Sequence, residues 1–125
     1  MKLVLYGRPI TKKNHQEICY NLATKRRFVQ QSKRYLDYEE ACLWQLKTYR
    51  GEVIGGPVQV TALYWLPDRR SWPDLCGCLQ ATGDILQKAR IITNDKFIVS
   101  WDGSRIAGVD RENPRVEITI KEVKP

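Results

Sequence analysis

Two aspartates bracket one stretch of helical pattern. Asp74 stands in Ser71-Trp72-Pro73-Asp74-Leu75 and Asp95 in Ile92-Thr93-Asn94-Asp95-Lys96. A carboxylate at a helix start and another at the next strand start meet in space when the helix runs back along its neighbouring strands. Arg69 and Arg70 lie just before the first acid. Carboxylate oxygens hold Mg²⁺, and arginines hold the phosphate that the metal activates, which is the chemistry of metal-dependent phosphodiester cleavage. Each acid also has an ordinary structural role. Asp74 suits a helix terminus, at about 0.3–1 kcal/mol, and Asp95 suits a turn. Their pairing with arginines on a basic chain favours the chemical reading.

The elements that must hold these residues can be read from the pattern. Residues 2–6 and 58–66 read as strands, the second being the strongest in the chain. Short strands near 17–21 and 26–30 suggest a hairpin across Ala23-Thr24. Ser32 is an N-cap for a first helix reaching to about residue 49, with Tyr35, Tyr38, Cys42, Leu46 and Tyr49 at spacings of three and four. A second helix spans roughly 74–89, opened by Pro73. Lys88 and Arg90 put positive charge at its end, as the helix dipole prefers. Strands follow at 97–101 and 115–123, and 101–105 reads as a strand end and turn. Together these predict an α+β fold, with a mixed sheet of four to five strands packed by two main helices. The length of 125 residues favours one domain, 1–125.

Charge indicates the partner. The net charge is +7. Residues 1–34 carry nine Lys/Arg against one acid, Glu17, so the whole excess lies at the N-terminal end. Lys12, Lys13, Arg26 and Arg27 are the candidates for nucleic-acid contacts, interleaved with Tyr20, Phe28 and Tyr35. No apolar run approaches the ~20 residues of a membrane span. The N-terminus is too short in apolar residues for an export signal, which predicts a cytosolic protein with its four cysteines reduced. Cys19, Cys42, Cys76 and Cys78 match no zinc spacing. His15, the one histidine, is a weak general-base candidate in a basic loop, and no Gly-rich phosphate loop is present. Asp84, inside the second helix, is a candidate structural partner or a further metal ligand.

Pro67-Asp68-Arg69-Arg70, Pro73-Asp74-Leu75, Leu79-Gln80-Ala81, Asp84-Ile85-Leu86, Asn94-Asp95 and Ile98-Val99 together resemble the RusA family of Holliday junction resolvases. Gly7-Arg8-Pro9-Ile10, Lys13-Asn14 and Arg34-Tyr35 add to the likeness, which covers almost the whole chain. The resemblance implies a small phage- or prophage-associated endodeoxyribonuclease. Such enzymes work as homodimers, bind four-way junctions and, with Mg²⁺, nick two opposing strands symmetrically. It implies Asp74 and Asp95 as catalytic residues and metal ligands.

The site departs from the family pattern. Cys76 stands where a second aspartate is expected, Gln80 where a lysine is expected, and Gly77 where an asparagine is expected. Asn94 replaces the acid before Asp95. A thiol is a poor Mg²⁺ ligand, and a neutral amide does not stabilise phosphate charge as an ammonium does. Three outcomes are open: a rearranged site, weaker metal binding and turnover, or junction binding without cutting. Asp84, Asp68 and Asp102 are the possible substitute carboxylates.

The expectation is therefore a Mg²⁺-dependent endonuclease on branched DNA, with Asp74, Asp95 and Asp84 at the metal. Arg69 and Arg70 would bind the scissile or adjacent phosphate, and Lys12, Lys13, Arg26 and Arg27 the junction arms. The alternatives are a non-catalytic binder of structured DNA with the same fold and, more remotely, an RNA-binding module. Trp44 and Trp65 are candidates for a dimer interface.

Overall fold

The computed structural model describes residues 1–12, 16–21, 23, 26–70 and 72–124, with segments 16–21 and 26–31 described by their backbone alone. Lys13, His15 and Thr24 lie outside the described residues, as do the side chains of Arg26, Arg27 and Cys19. The chain runs β1 (Lys2–Tyr6), β2 (Gln16–Asn21), β3 (Arg26–Gln31), α1 (Lys33–Gln45), β4 (Val58–Leu66), α2 (Leu75–Lys88), β5 (Ile98–Ser100), β6 (Arg105–Val109) and β7 (Arg115–Glu122). Short 3-10 turns follow α1 (Leu46–Thr48) and precede β5 (Asp95–Phe97). This is the expected α+β architecture: a mixed five-stranded sheet with two helices.

β7 is antiparallel to both β1 and β4, and β5 and β6 run parallel to β4 along its other edge. β2 and β3 form a separate antiparallel pair, with Tyr20 opposite Arg27. β4 has the strict alternation of a one-sided strand. Val58, Val60, Ala62, Tyr64 and Leu66 are buried while the residues between them are only partly covered. These side chains meet Cys78, Ile85 and Leu86 of α2 and Cys42 of α1 in one core, joined by Val116, Ile118 and Ile120 of β7. Burial of Ile85 or Leu86 is worth about 1.5–3 kcal/mol each, so α2 is fastened to the centre of the sheet.

α1 starts where its sequence asks. The Ser32 hydroxyl accepts a hydrogen bond from the Tyr35 N–H at 3.2 Å. The expected helix to about residue 49 tightens at Leu46 into a 3-10 turn. Gln45 exchanges two hydrogen bonds of 2.8 Å with the Tyr6 backbone and so satisfies exposed groups of edge strand β1. The fifth strand, β6, begins at the end of the expected 101–105 turn and is not among the expected strands. RIAGV is short, half-buried and interrupted by Gly108, so neither alternation nor a continuous apolar run marks it.

Candidate active site

Asp74 is the N-cap of α2. Its backbone is extended, and its Oδ2 accepts from the Gly77 N–H at 3.3 Å. The carboxylate is thereby pinned at the positive end of the helix dipole. At the other end α2 stops in a Schellman turn: Arg90 N–H donates to the Gln87 carbonyl and Ile91 N–H to the Leu86 carbonyl, both at 3.0 Å. Arg90 takes the left-handed conformation there, with φ of 59°. Ile91 and Ile92 are fully buried, and Ile92 pairs with Ile54. This reverses the chain so that Asp95 returns alongside α2. Asn94 Oδ1 caps the 3-10 turn by accepting from Lys96 N–H at 3.0 Å, and Asp95 N–H donates to Gln87 Oε1 at 2.9 Å. Asp95 lies beside Gly83, where a Cβ would sit 3.7 Å from the Asp95 Cβ.

The two expected acids consequently line one cleft of about 550 Å³ with Lys12, Cys76, Gly77, Gln80 and Asp84. An adjoining depression of about 290 Å³ shares Cys76, Gln80 and Asp95 and has Leu79, Ile98 and Trp101 as its apolar wall. Arg69 and Arg70 are exposed on the turn before Asp74 and are not among the cleft's described lining. Asp68 accepts from the Arg70 N–H at 2.8 Å, an Asx turn. Asp102 sits in the turn after β5, where its carbonyl accepts from Thr61 Oγ1 at 2.9 Å. Neither of these two substitute carboxylates lines the cleft.

Asp84 does line it, but its Oδ2 is engaged by two ammonium groups, Lys12 Nζ at 2.5 Å and Lys88 Nζ at 3.6 Å. Lys88 also contacts the buried Glu39 at 2.9 Å, and Glu39 accepts from the Tyr35 hydroxyl at 3.0 Å. The hydrogen bond to Glu39 raises the Lys88 pKa above its ordinary value. Burial, reinforced by the Glu39 charge, raises that of Tyr35. Asp84 thus stands in the same cleft as Asp74 and Asp95 as an ion-paired carboxylate. The i,i+4 spacing of Asp84 and Lys88 is a readable signal for this network. The pairing with Lys12 has none. Lys12, expected on a junction arm, sits in the cleft.

Mg²⁺ usually keeps several waters and takes one or two carboxylates together with substrate phosphates. Asp74 and Asp95 are a donor set of that kind. Among the described residues no group of three or more His, Cys, Asp or Glu is assembled to hold a metal, so an all-protein cage is not the fit. Cys76 is an exposed thiol between the acids. Cys42 and Cys78 are buried, and burial pushes them up to about 11 and about 12, which makes them unreactive.

A cleft lined by Asp74, Asp84 and Asp95 on a basic α+β chain is chemically suited to a divalent cation and a phosphate. The family model of endodeoxyribonuclease RusA matches residues 7–121, and the chain belongs to that family. The family supports nuclease activity and suggests Holliday junction resolution, with a general dependence on divalent metal. No curated protein matches the chain. No helix among the described residues is long and apolar enough to cross a membrane.

Proposed function

We propose that residues 1–125 act as one RusA-like domain, a Mg²⁺-dependent endonuclease that resolves four-way DNA junctions by paired nicks. The observation that carries this reading is the meeting of Asp74 and Asp95 in one cleft of a RusA-family chain. Both carboxylates would hold the metal. Bound Mg²⁺ would supply a Lewis acid for the scissile phosphate and lower the pKa of an attacking water. Hydrolysis adds that water across a P–O bond: its hydroxyl joins phosphorus and its proton ends on the leaving sugar oxygen. The α2 cap fixes one acid, and the Gln87 contact with the Asp95 backbone fixes the other. Arg69 and Arg70, exposed at the mouth of the turn, are suited to flanking phosphates, and Lys13, Arg26 and Arg27 to the arms. The protein would work in the cytosol.

A four-way junction has two-fold related strands, so a two-fold homodimer puts one cleft on each. Trp44, 70% exposed on α1, is the most exposed aromatic among the described residues and is suited to such an interface. The second reading, a junction binder that does not cut, is favoured by Cys76 and Gln80, which stand in the cleft where the family pattern has an acid and a lysine. Incubation with a labelled four-way junction, with Mg²⁺ and with EDTA, separates the two. Paired Mg²⁺-dependent nicks that vanish in Asp95→Asn are expected. Binding without nicks overturns the enzymatic reading, and a monomer on the junction by sedimentation overturns the dimer.

A further inference from the structure

Lys12 is the one basic side chain among the described residues of the cleft. It arrives from far away in sequence and is held by packing rather than by local structure. Ile10 and Thr11 are buried, with Thr11 1% exposed against the first turn of α2. A Cβ at Gly77 would lie 3.1 Å from both Cβ and Cγ2 of Thr11. The bare glycine thus leaves room for Thr11 to pack closely on the helix, next to Lys12 in the cleft. There the ammonium meets Asp84 at 2.5 Å and lies 5.5 Å from the centre of the Tyr35 ring. An ammonium has three donors. Asp84 uses one, and the side chain remains 31% exposed toward the cleft.

The charge balance of the cleft calls for this cation. Asp74, Asp84 and Asp95 bring three negative charges to a place that would have to accept a phosphodiester, itself an anion. Gln80, also in the lining, is neutral. We propose that Lys12 is the catalytic cation of this cleft, donating to the non-bridging oxygens of the phosphate being cut, and that Asp84 is its positioning residue. The inference rests on the nuclease reading above and adds to it a residue from the N-terminal segment. Lys88 and Glu39 complete the support: Lys88 shares the Asp84 carboxylate, and Glu39 anchors Lys88. Asp84 is in this way held by charge on one side and aims Lys12 on the other.

The test is single-turnover cleavage of a four-way junction at saturating protein with Mg²⁺, alongside junction affinity in EDTA and thermal melting. The variants are Lys12→Gln, Asp84→Asn, their double, and Lys12→Gln/Gln80→Lys. Loss of one charge-stabilising donor lowers a rate by about 10²–10³-fold. Lys12→Gln should therefore cut at least ~100-fold more slowly at saturation, with EDTA affinity changed by less than about 3-fold. Gln80→Lys, which returns an ammonium to the same cleft, should recover at least ~10-fold of that loss. Asp84→Asn should slow cleavage less than Lys12→Gln and add nothing in the Lys12→Gln background, since it acts only through Lys12. Lys12→Gln that cuts normally at saturation but binds weakly would make Lys12 an arm contact and overturn the proposal. A double variant far slower than Lys12→Gln would overturn the role of Asp84. A wild-type protein that cuts no junction sinks the nuclease reading itself. A wild type that cuts, with Asp95→Asn inactive and Lys12→Gln fully active, sinks the Lys12 proposal alone.

Discussion

Asp74 carries two jobs that a pair of substitutions can separate. As N-cap it satisfies the Gly77 N–H, and as a cleft carboxylate it would hold the metal. Asparagine keeps an oxygen in the capping position and ranks with aspartate as an N-cap. What Asp74→Asn loses in stability is the charge at the helix start, about 0.3–1 kcal/mol. Asp74→Ala loses the capping bond as well, at about 0.5–2 kcal/mol. For a domain of this length 1 kcal/mol moves Tm by roughly 3–5 °C, so the alanine variant should melt several degrees below the asparagine variant. Cleavage should respond differently. Both variants lack the metal-binding charge and should lose about 100-fold or more. Junction affinity in EDTA should hold or improve slightly, because a negative charge facing phosphate has been removed. Melting curves, gel shifts and Mg²⁺-dependent nicking measure the three quantities on the same proteins. If Asp74→Asn nicks within about 3-fold of wild type, well short of a lost metal ligand, Asp74 is a cap and the metal site lies elsewhere. If Asn and Ala melt together, the capping bond contributes nothing.

Arg90 holds a left-handed φ that costs a non-glycine residue about 1–2 kcal/mol. Arg90→Gly relieves that strain but loses about 0.5–1 kcal/mol to the glycine's entropy and about 0.3–1 kcal/mol with the charge at the helix end, so the terms should nearly cancel; a urea midpoint shifted clearly in either direction refutes this. The Thr11 hydroxyl is buried with no partner among the described residues. Thr11→Val should then raise stability by about 1 kcal/mol, and a comparable loss would mean that the hydroxyl is satisfied. The Lys88 ammonium and the buried phenols of Tyr35, Tyr38 and Tyr64 all hold their protons more tightly in the folded chain. Their contribution is complete below the ordinary values near 10 and is lost as pH rises through the folded-state values. Urea midpoints should therefore fall above about pH 10, and Lys88→Met should make that decline shallower.

What the sequence makes legible here is what is local. Ser32 and Asp74, both read at helix starts, are N-caps because a short polar side chain next to its own helix start needs nothing from the rest of the chain. β4 is legible because alternation over nine residues records its one buried face. β6 is not, since its pairing with β4 is supplied by a partner strand and not by its own pattern. The same division runs through the site. Asp74 and Asp95 flank one helix, so their meeting follows from the turn at its end. Lys12 and Asp84 are separated by 72 positions, and tertiary packing of Ile10 on Ala81 and of Thr11 on Gly77 brings them together.

A run of basic residues averages over roles that the fold separates. Lys12 and Lys13 are neighbours in the sequence, and composition offers the same reading for both, a polyanion-facing surface. Lys12 is ion-paired: an ammonium shared with a helix carboxylate inside a cleft is fixed in direction. A fixed direction is what transition-state stabilisation needs and what generic phosphate attraction does without. Gly77, which reads in the sequence as the loss of a family asparagine, is in the structure the position against which Thr11, the neighbour of Lys12, packs. Under the Lys12 proposal, the departures at 77 and 80 would be two parts of one arrangement, in which the cleft takes its cation from the N-terminal segment instead of from α2.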